Sequence, residues 1–312
     1  MDHLNRIYMK KYIKYLAIAA FAVFAASCQE KPLDPESQRL DSKVEQTDFD
    51  KWLVKNYVEP YNIDFKYRME YNESDMNYYL VPAEYEKSIQ IAKLLLHLCI
   101  NSYDEVTGSK DFIRENFPKM VHLVGSAAYK NNGTMVLGTA EGGLKMTLYY
   151  INSLQLDPSF LNYYYFKTMH HEFAHILHQT KPYPSDFEMI SGTDYVADTW
   201  NDVYKSDSAA QAAGFVSPYA SKEANEDFVE IIAIYITNDA TTWNKMLTNA
   251  GDGGDVIQSK FDIVYNYMMN SWGIDLDELR SVILRRESEI STFLFLLTLK
   301  GLFLNFRVET AK

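Results

Sequence analysis

The sequence predicts an α+β fold in which a small mixed sheet and one long helix precede a mainly helical C-terminal half. Before residue 153, segments such as "YNIDFKYRMEY", "MVHLVGS", "TMVLGTA" and "LKMTLYYIN" have the short apolar or alternating pattern of strands. After residue 220, apolar residues recur at helical spacing in several successive segments. A hydrophobic content of 47% over 312 residues is enough for a sizeable core.

The first 27 residues have the pattern of an export signal. Lys10, Lys11 and Lys14 give a basic start, residues 16–26 are an apolar run, and small residues precede Cys28. The run is too short for a transmembrane helix, which needs about 20 apolar residues. "AASC" resembles a bacterial lipobox, which implies cleavage before Cys28 and lipidation of that cysteine.

Polar composition marks the next segment as a linker. Residues 28–46 contain few large apolar side chains and predict a flexible tether, followed by one folded domain over residues 47–290. Residues 291–312 form an apolar tail to which the sequence assigns no role. The net charge of −12 argues against nucleic-acid binding, because an acidic surface repels the phosphate backbone.

A single helix carries four of the seven histidines. Asp157 provides an N-cap with Pro158 at the first helical position, and the prolines of "TKPYPSD" end the helix near Gln179. "MHHEFAHILHQ" therefore lies on a helix from Pro158 to about Gln179.

The cluster contains the pattern His-Glu-x-x-His. His171 and His175 are four residues apart, share one helical face and can hold one Zn²⁺, with Glu172 beside them as a general base. The alternative is that they are ordinary core or surface histidines. A catalytic zinc needs a third protein ligand and an open position.

His178 does not fit as the third ligand on the same helix. It lies seven residues from His171, about 10 Å along the helix axis, whereas ligands of one zinc converge within about 2 Å of the metal. The metzincin pattern breaks the helix with glycine and ends in a third histidine, but His178 and Lys181 occupy those two positions. The third ligand must come from elsewhere.

A later segment, "NEDFVE", resembles the glutamate helix of gluzincins. That resemblance implies that Glu226 is the third ligand and that Glu230, one turn later, orients a zinc-bound histidine through its other ring nitrogen. Glu223 and Asp227 are rival carboxylates, and all four could instead belong to a solvated helix face.

Three further residues are candidates for supporting roles. Tyr219, seven residues before Glu226, matches the position where some gluzincins carry a phenol that stabilises the oxyanion. His170 and His178 flank the His-Glu-x-x-His motif. Each could pack in the core, form a hydrogen bond with a metal ligand or contact the substrate.

Larger parts of the chain resemble one family. The lipobox, the tether, "PYNIDFKYR", "HEFAHILHQ" and "YASKEANEDFVE" are similar to zinc metallohydrolase lipoproteins of Gram-negative bacteria that are associated with TonB-dependent import. The resemblance implies a zincin-like metallopeptidase fold, an outer-membrane lipoprotein at the cell surface or periplasmic face, and a possible complex with a TonB-dependent importer. It also implies peptide or glycoprotein substrates.

Three hypotheses follow for the function. The first is a gluzincin-type zinc metallopeptidase that binds an extended peptide along an edge strand, for which "LKMTLYYIN" is the candidate. The alternative for this segment is an ordinary core strand. The second is a catalytically inactive, zinc-bearing lipoprotein that binds substrate for an importer. The third is a structural surface protein without a metal.

Overall fold

A computed structural model describes residues 45–131 and 133–290 of the chain. The predicted signal peptide, Cys28, most of the tether and the apolar tail from residue 291 lie outside the described residues. Within the described part, no helix combines the length and the apolar character needed to cross a membrane.

The N-terminal part of the described chain contains five short α-helices. Thr47 caps the first helix through a reciprocal pair of hydrogen bonds with Asp50. Several helices in this part continue through a π-helical segment. The helices are α1 (Asp48–Leu53), α2 (Glu59–Tyr61), α3 (Tyr85–Leu94), α4 (Asn101–Thr107) and α5 (Asp111–Asn116), with π-helical segments at Val54–Val58 and Leu95–Ile100.

One four-stranded mixed sheet and one small hairpin complete this half. The strands are β1 (Asp64–Lys66), β2 (Met120–Leu123), β3 (Ala128–Tyr129), β4 (Met135–Val136), β5 (Gly138–Glu141) and β6 (Lys145–Leu148). The sheet order is β1-β2-β6-β5, with β5 antiparallel to β6 and the other pairs parallel, and β3 pairs with β4.

The choice of edge strand differs from the prediction. "LKMTLYYIN" contains β6, which pairs with β2 on one side and β5 on the other, so the expectation that it is the edge strand was wrong. The reason is the turn before it: Gly142 and Gly143 both have positive φ and allow β5 to fold back along β6. β5 is instead the edge strand on this side of the sheet, and β1 is the edge strand on the other.

The C-terminal half is helical, as predicted. Asp157 caps the histidine-bearing helix by accepting from the Phe160 N–H, and the helix continues to Thr180, one residue beyond the predicted end. The elements are α6 (Pro158–Leu161), a π-helical segment (Asn162–Phe166), α7 (Lys167–Thr180), α8 (Asp186–Ser191), α9 (Trp200–Val203), α10 (Asp207–Ala212), α11 (Ala224–Ile236), α12 (Ala240–Ala250), α13 (Asp252–Tyr267), a π-helical segment (Met268–Trp272) and α14 (Leu276–Ser288).

The arrangement of layers positions the two motif helices. Met146 and Leu148 of β6 join the main apolar core together with Phe173 of α7. α7 lies next to the edge strand β5 on one side and packs against α11 on the other. The predicted α+β class, a small mixed sheet with a helical C-terminal half, is therefore confirmed.

Candidate metal centre

The α7 helix presents both motif histidines to one cleft. His171 and His175 lie one turn apart, with ring centroids separated by 4.8 Å. His170, one position earlier, points to the opposite side and is fully buried, with its Nδ1 atom 3.3 Å from the Tyr103 hydroxyl. Helical periodicity thus separates the cleft histidines from the core histidine.

Glu226 reaches both histidines from α11. Its Oε2 atom lies 3.2 Å from His171 Nε2 and 3.1 Å from His175 Nε2. These three residues form the one group of metal-binding side chains found among the described residues, with donor atoms within 4.8 Å of one another.

The chemistry and spacing of these donors fit zinc. Two imidazole nitrogens and one carboxylate oxygen form a typical catalytic set that leaves one position open. With bonds of about 2.0 Å, neighbouring donors on a tetrahedral zinc lie about 3.3 Å apart. The observed separations of 3.1 and 3.2 Å between Glu226 and the histidines are close to that value.

The second acid of α11 lies behind His171. Glu230 Oε1 is 2.9 Å from His171 Nδ1, while Ser217 donates to Glu230 Oε2 at 2.6 Å and Lys167 pairs with Glu230 at 3.2 Å. Burial would raise the pKa of Glu230, but Lys167 and the hydrogen bond with His171 outweigh it and lower the pKa to about 2. Glu230 thus orients the ring through its outer nitrogen.

The carboxylates also set the charge of His171. Burial would lower the pKa of His171, but hydrogen bonds to Glu226 and Glu230 outweigh burial and raise the pKa to about 10. The site therefore favours a positive charge at this ring, supplied by a proton or by a metal cation.

His178 supports His175 from within the same helix. The His178 Nε2 atom lies 3.1 Å from His175 Nδ1, which is the ring nitrogen of His175 that faces away from Glu226. Burial, together with the nearby His175, lowers the pKa of His178 to about 4. A neutral His178 can accept a hydrogen bond from His175 Nδ1. This contact favours a role in orienting His175 over a role as a metal ligand.

Tyr219 and Lys222 contact the other oxygen of Glu226. The Tyr219 hydroxyl donates to Oε1 at 2.7 Å, and the Lys222 ammonium donates to the same atom at 2.9 Å. Burial and the charge of Glu226 raise the pKa of Tyr219 far above its usual range, so the phenol stays protonated. In this arrangement Tyr219 orients the Glu226 carboxylate. To contact an oxyanion, as predicted, the Tyr219 hydroxyl has to break its hydrogen bond with Glu226 Oε1.

Glu172 lies in the cleft between α7 and the edge strand. Burial raises the pKa of Glu172, while His171 and His175 oppose the rise. Gly138 of β5 allows the strand to approach closely, because an added Cβ there would lie 2.6 Å from Thr168 Cγ2 and 3.3 Å from Glu172 Cγ.

The rival carboxylates are placed elsewhere. Asp227 is fully buried on the other side of α11 and pairs with Lys260 at 2.6 Å, also accepting from the Tyr195 hydroxyl at 3.0 Å. Glu223 is half-exposed and contacts Lys222 at 3.3 Å. Among the four open candidates, the structure therefore brings Glu226 to the histidines and Glu230 behind them.

A large cleft surrounds the centre. It has a volume of about 1120 Å³ and is lined along one side by residues 134–141, which include β5, and by the motif residues of α7 and α11. Trp200 and Trp243 add apolar surface. The edge strand and the three donors therefore line one continuous cleft.

Comparisons with known proteins identify the family of the chain. Residues 42–277 match the family model described as "putative zinc-binding metallo-peptidase". The chain belongs to this family. It is 48% identical to a protein from Bacteroides caccae whose crystal structure is described in the same words, with a TM-score of 0.67 and coverage of 78% of this chain and 93% of that chain. No curated protein matches the chain.

Family membership and geometry agree at the level of a zinc-binding metallopeptidase. The family model spans the whole segment from before α1 to the start of α14, and so includes both motif helices. The individual roles of His171, His175, Glu226, Glu172 and Tyr219 stay predictions that the comparisons leave untested.

Four side chains that contact the carboxylates of α11 were not among the predicted site residues. Lys167 and Ser217 contact Glu230, Lys222 contacts Glu226, and Lys260 contacts Asp227. Lys222 is detectable in principle, because it lies four residues before Glu226, the spacing of an ion pair along a helix. The other three lie 13 or more residues from the carboxylates they contact and carry no local signal.

Proposed function

We propose that this protein is a zinc-dependent peptidase of the gluzincin type, with His171, His175 and Glu226 as the metal ligands. The observation that carries the proposal is the convergence of these three donors on one point, with a buried glutamate of the same helix beside them. When bound there, Zn²⁺ supplies a Lewis acid that polarises a carbonyl and makes water more acidic.

The protein's own residues perform the remaining steps. Glu172 accepts a proton from the attacking water and delivers it to the leaving amine, which is the role of a general base that then acts as general acid. Glu230 and His178 fix the orientation of the two imidazoles through their outer nitrogens. Tyr219 stabilises the oxyanion when it turns from Glu226 to the substrate.

The edge strand supports an extended peptide as the substrate. Within residues 45–131 and 133–290, β5 pairs with β6 on one side and with no strand on the other, so its free backbone groups can form hydrogen bonds with a peptide strand. This strand lines the same cleft as Glu172. Segments of proteins or glycoproteins that can adopt an extended conformation are the proposed substrates.

The cell envelope is the proposed location. This part rests on the lipobox-like sequence that ends in Cys28 and on the resemblance to lipoproteins of TonB-dependent import. We expect palmitate labelling and membrane association of the full chain in a Gram-negative host, and loss of both in a Cys28→Ala variant. Co-purification with a TonB-dependent importer would support the import link, and soluble, unlabelled wild-type protein would contradict the anchor.

One substitution tests the proposed chemistry directly. Glu172→Gln keeps the shape of the side chain but cannot accept a proton, so we expect full zinc content and a loss of peptide hydrolysis of at least about 100-fold. Metal content is measured by mass spectrometry on the purified chain, and hydrolysis on a peptide library. Glu86→Gln, on an exposed residue outside the cleft, is the matched control.

Each rival hypothesis has its own outcome. A wild-type protein that binds zinc and peptides but hydrolyses none of them is the inactive binding lipoprotein. Equal metal content in the wild type and in a His171→Ala, His175→Ala variant identifies a surface protein without a specific metal site. Retained turnover in Glu172→Gln removes Glu172 from the mechanism.

A further inference from the structure

The two oxygens of the Glu226 carboxylate have separate sets of partners. Oε2 faces the two imidazole Nε2 atoms, whereas Oε1 accepts hydrogen bonds from Tyr219 and Lys222. We propose that Tyr219 and Lys222 form a clamp on Oε1, so that Glu226 offers a metal one oxygen only, and that Lys222 is a positioning residue of the centre. The clamp rests on the proposed function, because it concerns the same metal site.

The number of oxygens that a carboxylate offers decides how many positions a metal has left. Carboxylates bind cations through one oxygen or through both. A catalytic zinc combines three protein donors with one open position for water or substrate. If Glu226 bound through both oxygens, it would take up space needed at that position, so a device that holds Oε1 away keeps the position accessible.

An ordinary ion pair on a helix is the competing explanation of the Lys222 contact. Exposed pairs four residues apart contribute little, because solvent screens the attraction and ordering two long side chains costs entropy. Here the Glu226 side chain is 8% exposed and the Lys222 side chain 20% exposed. Lys222 also lies closer to Glu226, at 2.9 Å, than to the more accessible Glu223, at 3.3 Å. Burial and the shared acceptor with Tyr219 favour the clamp.

The backbone holds the clamp residues in place before any metal binds. Tyr219–Ser221 is a 3₁₀ turn, and its end is tied to a neighbouring segment by two hydrogen bonds. Val196 N–H donates to Ser221 O at 2.9 Å, and Ala197 N–H donates to Lys222 O at 3.0 Å. The Tyr219 ring also packs edge-on against Trp200, with centroids 5.2 Å apart. The turn is therefore fixed independently of Glu226.

Cobalt substitution tests the clamp. Co²⁺ replaces Zn²⁺ in such sites, and its visible absorption loses intensity when the coordination number rises from four to five. For the full chain we expect an intense four-coordinate spectrum in the wild type and a loss of that intensity in Lys222→Met. Lys222→Arg should keep it, because a guanidinium also donates to Oε1. Tyr219→Phe should give a smaller loss, since Lys222 still holds Oε1.

Controls distinguish the clamp from a general loss of structure and from failure of the metal site. Lys205→Met removes an exposed lysine, paired with Asp202 at 3.0 Å, and should leave the spectrum unchanged. Circular dichroism reports folding of each variant, and Tyr219→Phe replaces Lys222→Met if the latter does not fold. A wild-type spectrum in both folded clamp variants overturns the clamp while the metal site stands. A wild type that binds neither Zn²⁺ nor Co²⁺ overturns the proposed function and the clamp with it.

Discussion

The two walls of the cleft bury polar groups in opposite ways. The histidine wall, formed by the sheet and α7, contains two buried imidazoles behind the metal centre that have no ion-pair partner among the described residues: burial lowers the pKa of His170 to about 3, and it also lowers the pKa of His122. The carboxylate wall, formed by residues 195–236, buries three acids, and each has a lysine. Glu226 pairs with Lys222, Asp227 with Lys260 and Glu230 with Lys167.

The difference follows from the cost of burying charge. An imidazole avoids that cost by staying neutral, so packing alone can place it. A carboxylate that must stay ionised to bind a cation needs a compensating charge, because an unpaired buried ion costs several kcal/mol. Packing in the apolar core therefore places the neutral imidazoles, whereas the carboxylate wall depends on ion pairs, two of which join distant segments.

The largest effect is expected from breaking the deepest of these pairs. Lys260 and Asp227 are both fully buried, and Lys260 also donates to Gly214 O at 2.8 Å. Lys260→Ala leaves the Asp227 charge unpaired and should lower the free energy of unfolding by roughly 3–5 kcal/mol. Urea unfolding measures the loss. Lys205→Ala, at an exposed pair, should change it by less than about 1 kcal/mol.

A double variant tests whether the loss comes from the unpaired charge. Lys260→Met combined with Asp227→Leu should recover stability, because no charge is left unpaired. An unfolding free energy of Lys260→Ala within about 1 kcal/mol of the wild type would show that the carboxylate wall does not depend on paired charge.

A smaller effect is expected where the histidine wall meets the edge strand. An added Cβ at Gly138 would lie 2.6 Å from Thr168 Cγ2, so Gly138→Ala should push β5 away from α7 and cost about 1–3 kcal/mol of unfolding free energy. Thr168→Ala removes the obstructing methyl group. The double variant should therefore lose less stability than Gly138→Ala and Thr168→Ala combined, and simple additivity would contradict this account of the packing.

The sequence predicts most of the histidine wall because its signals are local. Helical periodicity and the Asp157 cap give the position of α7, and the four-residue spacing places His171 and His175 on one face. The partnership of Glu226 with these histidines comes from the resemblance to gluzincins. The same resemblance separates Glu226 from Asp227, and the structure explains why: the two side chains leave α11 in different directions.

The carboxylate wall is predicted only in part because its contacts are distant in sequence. Lys260 is 33 residues from Asp227, and Lys167 is 63 residues from Glu230, so neither pair has a local pattern. The edge-strand expectation fails for the same reason. Alternation identifies β6 as a strand, but its pairing with β2 and β5 depends on tertiary structure that periodicity does not report.

The smallest effect concerns a neutral imidazole of the sheet. His122 of β2 is fully buried, and neither ring nitrogen has a hydrogen-bond partner among the described residues. Burial, with Lys145 nearby, lowers the pKa of His122 below 6.5, while Glu73, Glu70 and Glu141 oppose the shift. Below pH 6.5 the unfolded chain therefore binds a proton that the folded chain does not.

The His122 contribution should be fully present above pH 6.5 and decrease as the pH falls below it. We expect the unfolding free energy of the wild type to fall more than that of His122→Leu between pH 7.5 and pH 5.5, because only the unfolded wild-type chain gains a proton at His122 in this range. Urea unfolding of both proteins with a chelator present removes any contribution of metal. Parallel pH dependences would mean that His122 binds a proton equally in the folded and unfolded states, and the contrast between the two walls would not extend to the sheet.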